Sequence, residues 1–229
     1  MKEQDIGIKW FNTVFYPQKK TARAARYEDG VLPRLHGQEV TLFTPWGPRY
    51  SWESRGVRIR EEDREVEVLN FLATLLNEWR KNIPDKNFHW VFLGADLYGT
   101  RINKLPKEVV SNYFANLVEW LTRILPESEF RLWSEFSEGA EEYRQRIWAN
   151  FDNFVDDKLL LRTNQTAQAM GKGGDPKEYL VERLAEAMFI ETTLHPIKIS
   201  CVARHKDDKV DWELPRLYFL PERLHAPWL

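Results

Sequence analysis

FHWVFLGADLYGTRIN, residues 88 to 103, is the stretch that decides the fold. Phe88 to Ala95 is short and almost unbroken in apolar character, the pattern of a strand buried on both faces of a parallel sheet. It stops at Gly94-Ala95-Asp96, and Tyr98-Gly99-Thr100-Arg101 follows before a helix opens near Pro106. In an open α/β sheet, ligands bind in the crevice beyond the carboxyl ends of the strands. Asp96, Tyr98 and Arg101 therefore stand where a site is expected.

Working outward, Glu39 to Phe43 reads as the first strand, ending in the stiff loop Thr44-Pro45-Trp46-Gly47-Pro48-Arg49-Tyr50-Ser51. An amphipathic helix is expected over Glu61 to Lys81, and a second from Pro106 to Pro126 with Val109, Val110, Tyr113, Phe114, Leu117, Leu121 and Ile124 inward. Phe130 to Phe136 reads as a third strand, leaving Ser134 and Glu135 near its carboxyl end. Glu141 to Met170 reads as helical with a break near Val155 to Lys158. Asp175 caps a last helix from Pro176 to about Glu191, with Glu178 at capping-box spacing. Ile197 to Ala203 is a fourth strand, and Leu217 to Leu220 a short edge strand. Strand and helix alternate, so the expected architecture is a three-layer α/β sandwich with a mostly parallel sheet.

At 229 residues the chain suits one domain, with residues 1 to 38 an irregular basic leader carrying Lys19, Lys20, Arg23, Arg26 and Arg34. That leader is either a solvated arm packed on the sheet or a phosphate-binding one. A formal net charge of -2 supplies no global field for nucleic acid, so such a partner has to meet a local patch. The single cysteine, Cys201, excludes an internal disulfide and a cysteine-based metal site. No apolar run is long enough to span a membrane, and the expected setting is cytoplasmic.

The candidate chemistry falls into four groups. Thr44 follows the first strand's last apolar residue, where its hydroxyl is either a nucleophile or a partner for its own loop. Tyr179, Glu182, Arg183 and Glu186 recur at i, i+3, i+4 and i+7, so they share a helix face. That face either relays protons and binds an amine or is a solvated face with an intrahelical Glu–Arg pair. Arg80, Lys81, Arg144 and Arg146, the last two beside Trp148, either hold phosphates and stack a base or are solvated. The histidines lack metal-ligand spacing, and His89 reads as a satisfied group on a buried strand. GADLYG is not a dinucleotide fingerprint and no P-loop occurs, so no nicotinamide or metal cofactor is expected.

The order of these features resembles the tRNA-dependent cyclodipeptide synthases, whose Rossmann-like core is similar to that of class I aminoacyl-tRNA synthetases. Phe43-Thr44-Pro45-Trp46 looks like that family's serine loop, and Tyr179-Leu180-Val181-Glu182 like its tyrosine–glutamate helix pair. Threonine stands for the family's serine, and the tyrosine-to-glutamate spacing is three rather than four. The resemblance implies a cytoplasmic transferase of secondary metabolism that joins amino acids from aminoacyl-tRNA. It implies that Thr44 or Ser51 accepts an aminoacyl group and that Tyr179 and Glu182 bind or deprotonate the attacking amine. Arg49, Tyr50, Ser51, Asp96, Tyr98, Arg101, Glu135, Arg183 and Glu186 would line the substrate site.

A second likeness is to isonitrile synthases. Ile197-Lys198-Ile199-Ser200 and the closing Ala226-Pro227-Trp228 are similar to that family's late strand and Pro-Trp element. It implies a free amino acid as substrate. A non-catalytic binding module on the same fold is the reading from a different class.

Overall fold

The buried strand expected from Phe88 is the β4 of a five-stranded, all-parallel sheet in the computed structural model, which describes residues 30–48, 50–53, 56–59, 62–169, 174–200 and 214–218. The elements in order are α1 Leu32–His36, β1 Glu39–Trp46, β2 Tyr50–Glu53, β3 Gly56–Ile59, α2 Glu62–Asn82 and β4 Asn87–Gly94. Then come a π-helical turn at Tyr98–Ile102, α3 Lys107–Ile124, β5 Glu129–Leu132, α4 Trp133–Phe136, a 3-10 turn at Ser137–Ala140 and α5 Glu141–Ala149. The rest are α6 Phe151–Phe154, α7 Asp157–Ala169, α8 Pro176–Leu194, β6 Ile197–Ser200 and β7 Arg216–Tyr218.

The sheet order is β5-β4-β1-β6-β7. Counting only its own strands this is the doubly wound 3-2-1-4-5 order, and the direction of winding reverses between β1 and β6. Helices cover both faces, as an all-parallel sheet requires, and the α/β Rossmann-like architecture is established. On one face Val40, Leu42, Trp46, Trp90, Phe92, Ile197 and Ile199 meet Leu69, Leu72 and Trp79 of α2 and Tyr113, Phe114 and Leu117 of α3. Trp79, Trp90 and Phe92 stack at 5.9 and 5.4 Å, so much of the high aromatic content fills this side. On the other face Phe43 and Leu93 meet Leu180, Val181, Leu184 and Ala185 of α8, backed by Trp133 and Ile147.

Several local expectations are corrected. β1 runs on through Thr44, Pro45 and Trp46, which pair with Phe92, Leu93 and Gly94 of β4. Pro45 is tolerated because β6 pairs only with Leu42 and Phe43, so its missing N–H lies beyond that ladder. The stiff loop is shorter than expected, because Tyr50–Glu53 and Gly56–Ile59 form an antiparallel hairpin. The third strand stops at Leu132, where the chain turns into α4. His89 is exposed at the start of β4 and contacts Glu129 at 3.1 Å, so it is no core group. Within 141–170 the helix breaks at Asn150 as well as after Phe154. Of the basic leader, residues 1–29 lie outside the described ones. Arg34, by contrast, is buried, forms an ion pair with Glu191 and touches His195 Nδ1 at 3.0 Å.

Candidate functional site

Two strand ends, one residue of β6 and one helix build the site. β4 ends at Gly94, where an added Cβ would lie 2.8 Å from Phe114 and 2.9 Å from Phe130, so only glycine lets β4 reach its end between them. The chain then enters the π-helical turn that buries Tyr98 and Ile102. Such turns are rare and recur at functional sites. Asp96 Oδ1 accepts from the Ser134 N–H at 3.0 Å, which ties the end of β4 to the end of β5. Glu135 Oε2 accepts from the Leu132 N–H at 3.3 Å and closes the start of α4.

α8 lies over this edge. Asp175 caps it by accepting from the Lys177 N–H at 2.8 Å, while Glu178 leaves the expected capping box and takes Arg101 Nε at 2.7 Å. His195 ends it in the left-handed region at φ 47, ahead of Pro196. The middle of the helix is buried, with Tyr179 and Arg183 half-buried, so the solvated-face alternative for Tyr179 to Glu186 is corrected. Glu182 is 3% and Glu186 7% exposed.

The two carboxylates have different surroundings. Arg144 from α5 holds Glu182 through two bonds, Nε to Oε2 at 2.8 Å and an amino group to Oε1 at 2.7 Å. Trp133 Nε1 donates to the same Oε1 at 2.5 Å. The Arg144 guanidinium also donates to the Ser137 carbonyl at 2.6 Å and to Glu141 at 3.1 Å, and it lies over the Trp133 ring. Its partnership with Glu182 raises its proton affinity despite burial. Arg144 is thus an internal counter-ion, and this corrects its placing with the exposed arginines.

Glu186, one turn along, has no such fork. Burial is the main reason its pKa lies above the ordinary carboxylate value, and the Glu182 charge adds to the rise. Lys198, Arg183 and the Tyr98 hydroxyl oppose it. Lys198 reaches this side because it pairs with Phe43 in register, while Ile197 and Ile199 point to the other face. Nothing in the charge pattern of IKIS marked Lys198; only the register of β6 against β1 does.

Tyr98 is buried against this carboxylate. Burial, then Glu186, Tyr179 and Glu182, hold its pKa well above the ordinary phenol value, so it remains a neutral O–H. The hydroxyl is in no well-aligned hydrogen bond although Glu186 is beside it. Its ring meets Tyr179 edge-on at 5.8 Å, and the Tyr179 hydroxyl accepts from Arg183 at 3.2 Å. The neutral phenol, the raised carboxylate and the cations beside them can bind an amine, donate a proton or accept one.

Other expected residues are placed elsewhere. Thr44 is buried with its Oγ1 accepting from Trp90 Nε1 at 2.9 Å, on the α2–α3 face and away from α8. Tyr50 and Ser51 lie in β2 by backbone, and Arg49 is outside the described residues. Arg80 and Lys81 close α2 in exposed pairs with Glu127 and Glu78. Exposed Arg146 lies over Phe154 at 5.9 Å, and Trp148 is 48% exposed. Among the described residues, no helix is long and apolar enough to cross a membrane.

By sequence, no known protein family and no curated protein matches the chain. Among solved structures it is similar to the PvcA protein from Pseudomonas aeruginosa, with TM-score 0.60 and 14% identity over 98% of this chain and 86% of that one. It is also similar to tyrosyl-tRNA synthetase from Archaeoglobus fulgidus, a structure complexed with L-tyrosine, with TM-score 0.52 and 14% identity. That match covers 87% of this chain and 61% of the synthetase, so the chain spans less than two thirds of it. At this identity the fold is what is shared: the Rossmann-like core of an aminoacyl-tRNA synthetase and of PvcA.

Proposed function

We propose that this chain is an enzyme acting on the amino group of an amino acid or aminoacyl ester, bound at the carboxyl edge of the sheet beneath α8. The observation that carries this is the buried Tyr98–Glu186 pair, which lies beside the partly exposed Tyr179 and Arg183 and under the cation of Lys198. A carboxylate beside a phenol suits an ammonium, whose three donors need acceptors when water is removed. The likeness to a synthetase that holds L-tyrosine supports an amino-acid-sized ligand in a fold of this kind.

The reaction we favour is amide formation of the cyclodipeptide-synthase type, with aminoacyl-tRNA as the donor. The amine of one aminoacyl group attacks the ester carbonyl of another, a C–N bond forms, and the C–O bond to the tRNA ribose breaks. The attacking nitrogen gives up its proton to a basic side chain, and a second attack closes the ring.

A second reading is an isonitrile-synthase-like reaction on a free amino acid. One specific observation favours it: the Thr44 hydroxyl is engaged by Trp90 on the opposite face from α8, which argues against a covalent acyl-enzyme there. The test is mass spectrometry of extracts from cells overproducing the protein, against an empty-vector control. A mass equal to two amino acids less two waters supports the first reading, and an isonitrile mass the second. Absence of any new product counts against both and leaves a binding module.

A further inference from the structure

Two carboxylates one turn apart on α8 are held in opposite ways. Both oxygens of Glu182 are taken, one by Arg144 Nε and the other by an Arg144 amino group together with the Trp133 indole. The donors come from two elements, α5 and α4, so Glu182 joins three parts of this face into one unit. Three of its roughly four acceptor sites are filled, and breaking those bonds to turn it towards a ligand leaves Arg144 buried without its main partner. The resemblance to cyclodipeptide synthases assigns the amine to Tyr179 and Glu182, and this geometry disagrees with that assignment.

We propose that Glu182, with Arg144 and Trp133, is a positioning residue, and that Glu186 with the hydroxyl of Tyr98 is the pair that receives the ligand's amine. This rests on the reading of the α8 edge as an amine site. The Tyr98 hydroxyl is an inward polar group, buried and without a well-aligned partner. In a folded protein such a group is expected to be satisfied by something that arrives. Glu186 lies beside it among groups from three elements: Glu182 and Arg183 on α8, Lys198 on β6, and the Tyr98 hydroxyl of the π-helical turn. The two roles make the pair work together. Glu182, bonded to Arg144, is the like group that favours the protonated form of Glu186, and an arriving ammonium replaces that proton as the compensating charge. Tyr98 stays neutral throughout and donates to, or accepts from, whatever occupies the space.

The experiment is a pH titration of the full chain carrying carbon-13 at the glutamate carboxyl position, with melting curves for each variant. In E182Q the Glu186 midpoint is expected to fall, because a like charge is removed. In Y98F it is expected to rise, because the neutral O–H that favours the ionised carboxylate is removed. E182Q is expected to melt below wild type, and E186Q at or above it with product formation lost. R144K is expected to restore part of the melting temperature lost in R144M. Each coded amino acid and its methyl ester is then added to wild type, beside the N-acetylated counterpart. The expected result is that at least one free amine moves the Glu186 signal and no acetylated compound does.

A Glu186 midpoint unmoved in both E182Q and Y98F overturns the inference, as does an E186Q that melts as low as E182Q, or a set of amines none of which moves Glu186. Failure of E182Q to fold supports its anchoring role and leaves Y98F to decide the rest. Because these signals come from the protein, they stand whether or not the wild type yields a cyclic dipeptide or an isonitrile.

Discussion

The two faces of the sheet solve the burial problem differently. On the α2–α3 side the interior is mostly hydrocarbon and aromatic, with Glu65 of α2 also buried, and its strand-borne polar group, Thr44, is satisfied by Trp90 at 2.9 Å. On the α8 side Glu182, Glu186, Arg144 and Tyr98 are all buried among apolar neighbours. Buried charge lowers stability unless it is paired and hydrogen-bonded. Glu182 meets that condition through Arg144 and Trp133, whereas the groups beside Glu186 leave its burial uncompensated and its pKa raised. The first face reads as the part that holds the chain together, and the second as the part that carries chemistry, with one element of its own scaffolding.

The comparison breaks first if the faces respond alike to truncation. Trp90→Ala removes a fully buried indole from the Trp79–Trp90–Phe92 stack and is expected to lower stability by about 3–5 kcal/mol in urea unfolding. Amine-induced changes at Glu186 are expected to survive in whatever fraction remains folded. Arg144→Met leaves Glu182 buried with its main partner gone, and a loss of about 3–5 kcal/mol is expected from the same measurement. If Arg144→Met is instead neutral, Glu182 is not anchored as its bond lengths imply, and the division within the second face fails.

Much of this was legible from residue order. The apolar run at Phe88, the alternation of helix and strand, and the capping Asp175 depend on local chemistry, and all are found. The i, i+3, i+4, i+7 face on α8 was also visible, but its burial was not, because periodicity alone cannot distinguish a charged face against solvent from one against α5. The roles of Arg144 and Lys198 were hidden for the same reason. One acts through Glu182, 38 positions away, and the other through the register of β6 on β1. Thr44 reads as a loop residue because Pro45 reads as a strand breaker, a rule that fails where β6 no longer pairs.

Thr44→Val sharpens the comparison at an intermediate scale. The substitution keeps the shape but removes the acceptor for Trp90 Nε1, leaving a buried N–H unmet at a cost of about 1–3 kcal/mol. Product formation in the folded protein is expected to persist, since Thr44 is on the face away from α8. Loss of product without loss of stability would return Thr44 to the nucleophile role. Glu186→Gln tests the other face through pH. The folded carboxylate has the raised pKa, so the native state binds the extra proton, and wild-type stability falls as pH rises from the ordinary glutamate range, about 4.3, through the folded value. The variant lacks that loss. Its melting temperature is expected to match wild type at low pH and exceed it increasingly on the alkaline side of that window.

The smallest effect belongs to the rim. Arg101 leaves the π-helical turn in solvent, more than half exposed, and its bond to Glu178 on the first turn of α8 is 2.7 Å long. Exposed pairs of this kind contribute about 0–1 kcal/mol, since water competes for both partners and two long side chains lose freedom. Arg101→Ala is therefore expected to change unfolding free energy by less than about 1 kcal/mol. The same turn holds Tyr98, however, and the start of α8 is packed tightly against its end: a Cβ on Gly174 would come within 2.3 Å of the Ile102 carbonyl oxygen. If Arg101→Ala weakens amine binding while stability is preserved, the pair sets how the turn presents Tyr98 to Glu186. If binding and stability are both unchanged, backbone packing at Gly174 and Ile102 alone positions Tyr98, and Arg101 drops out of the site.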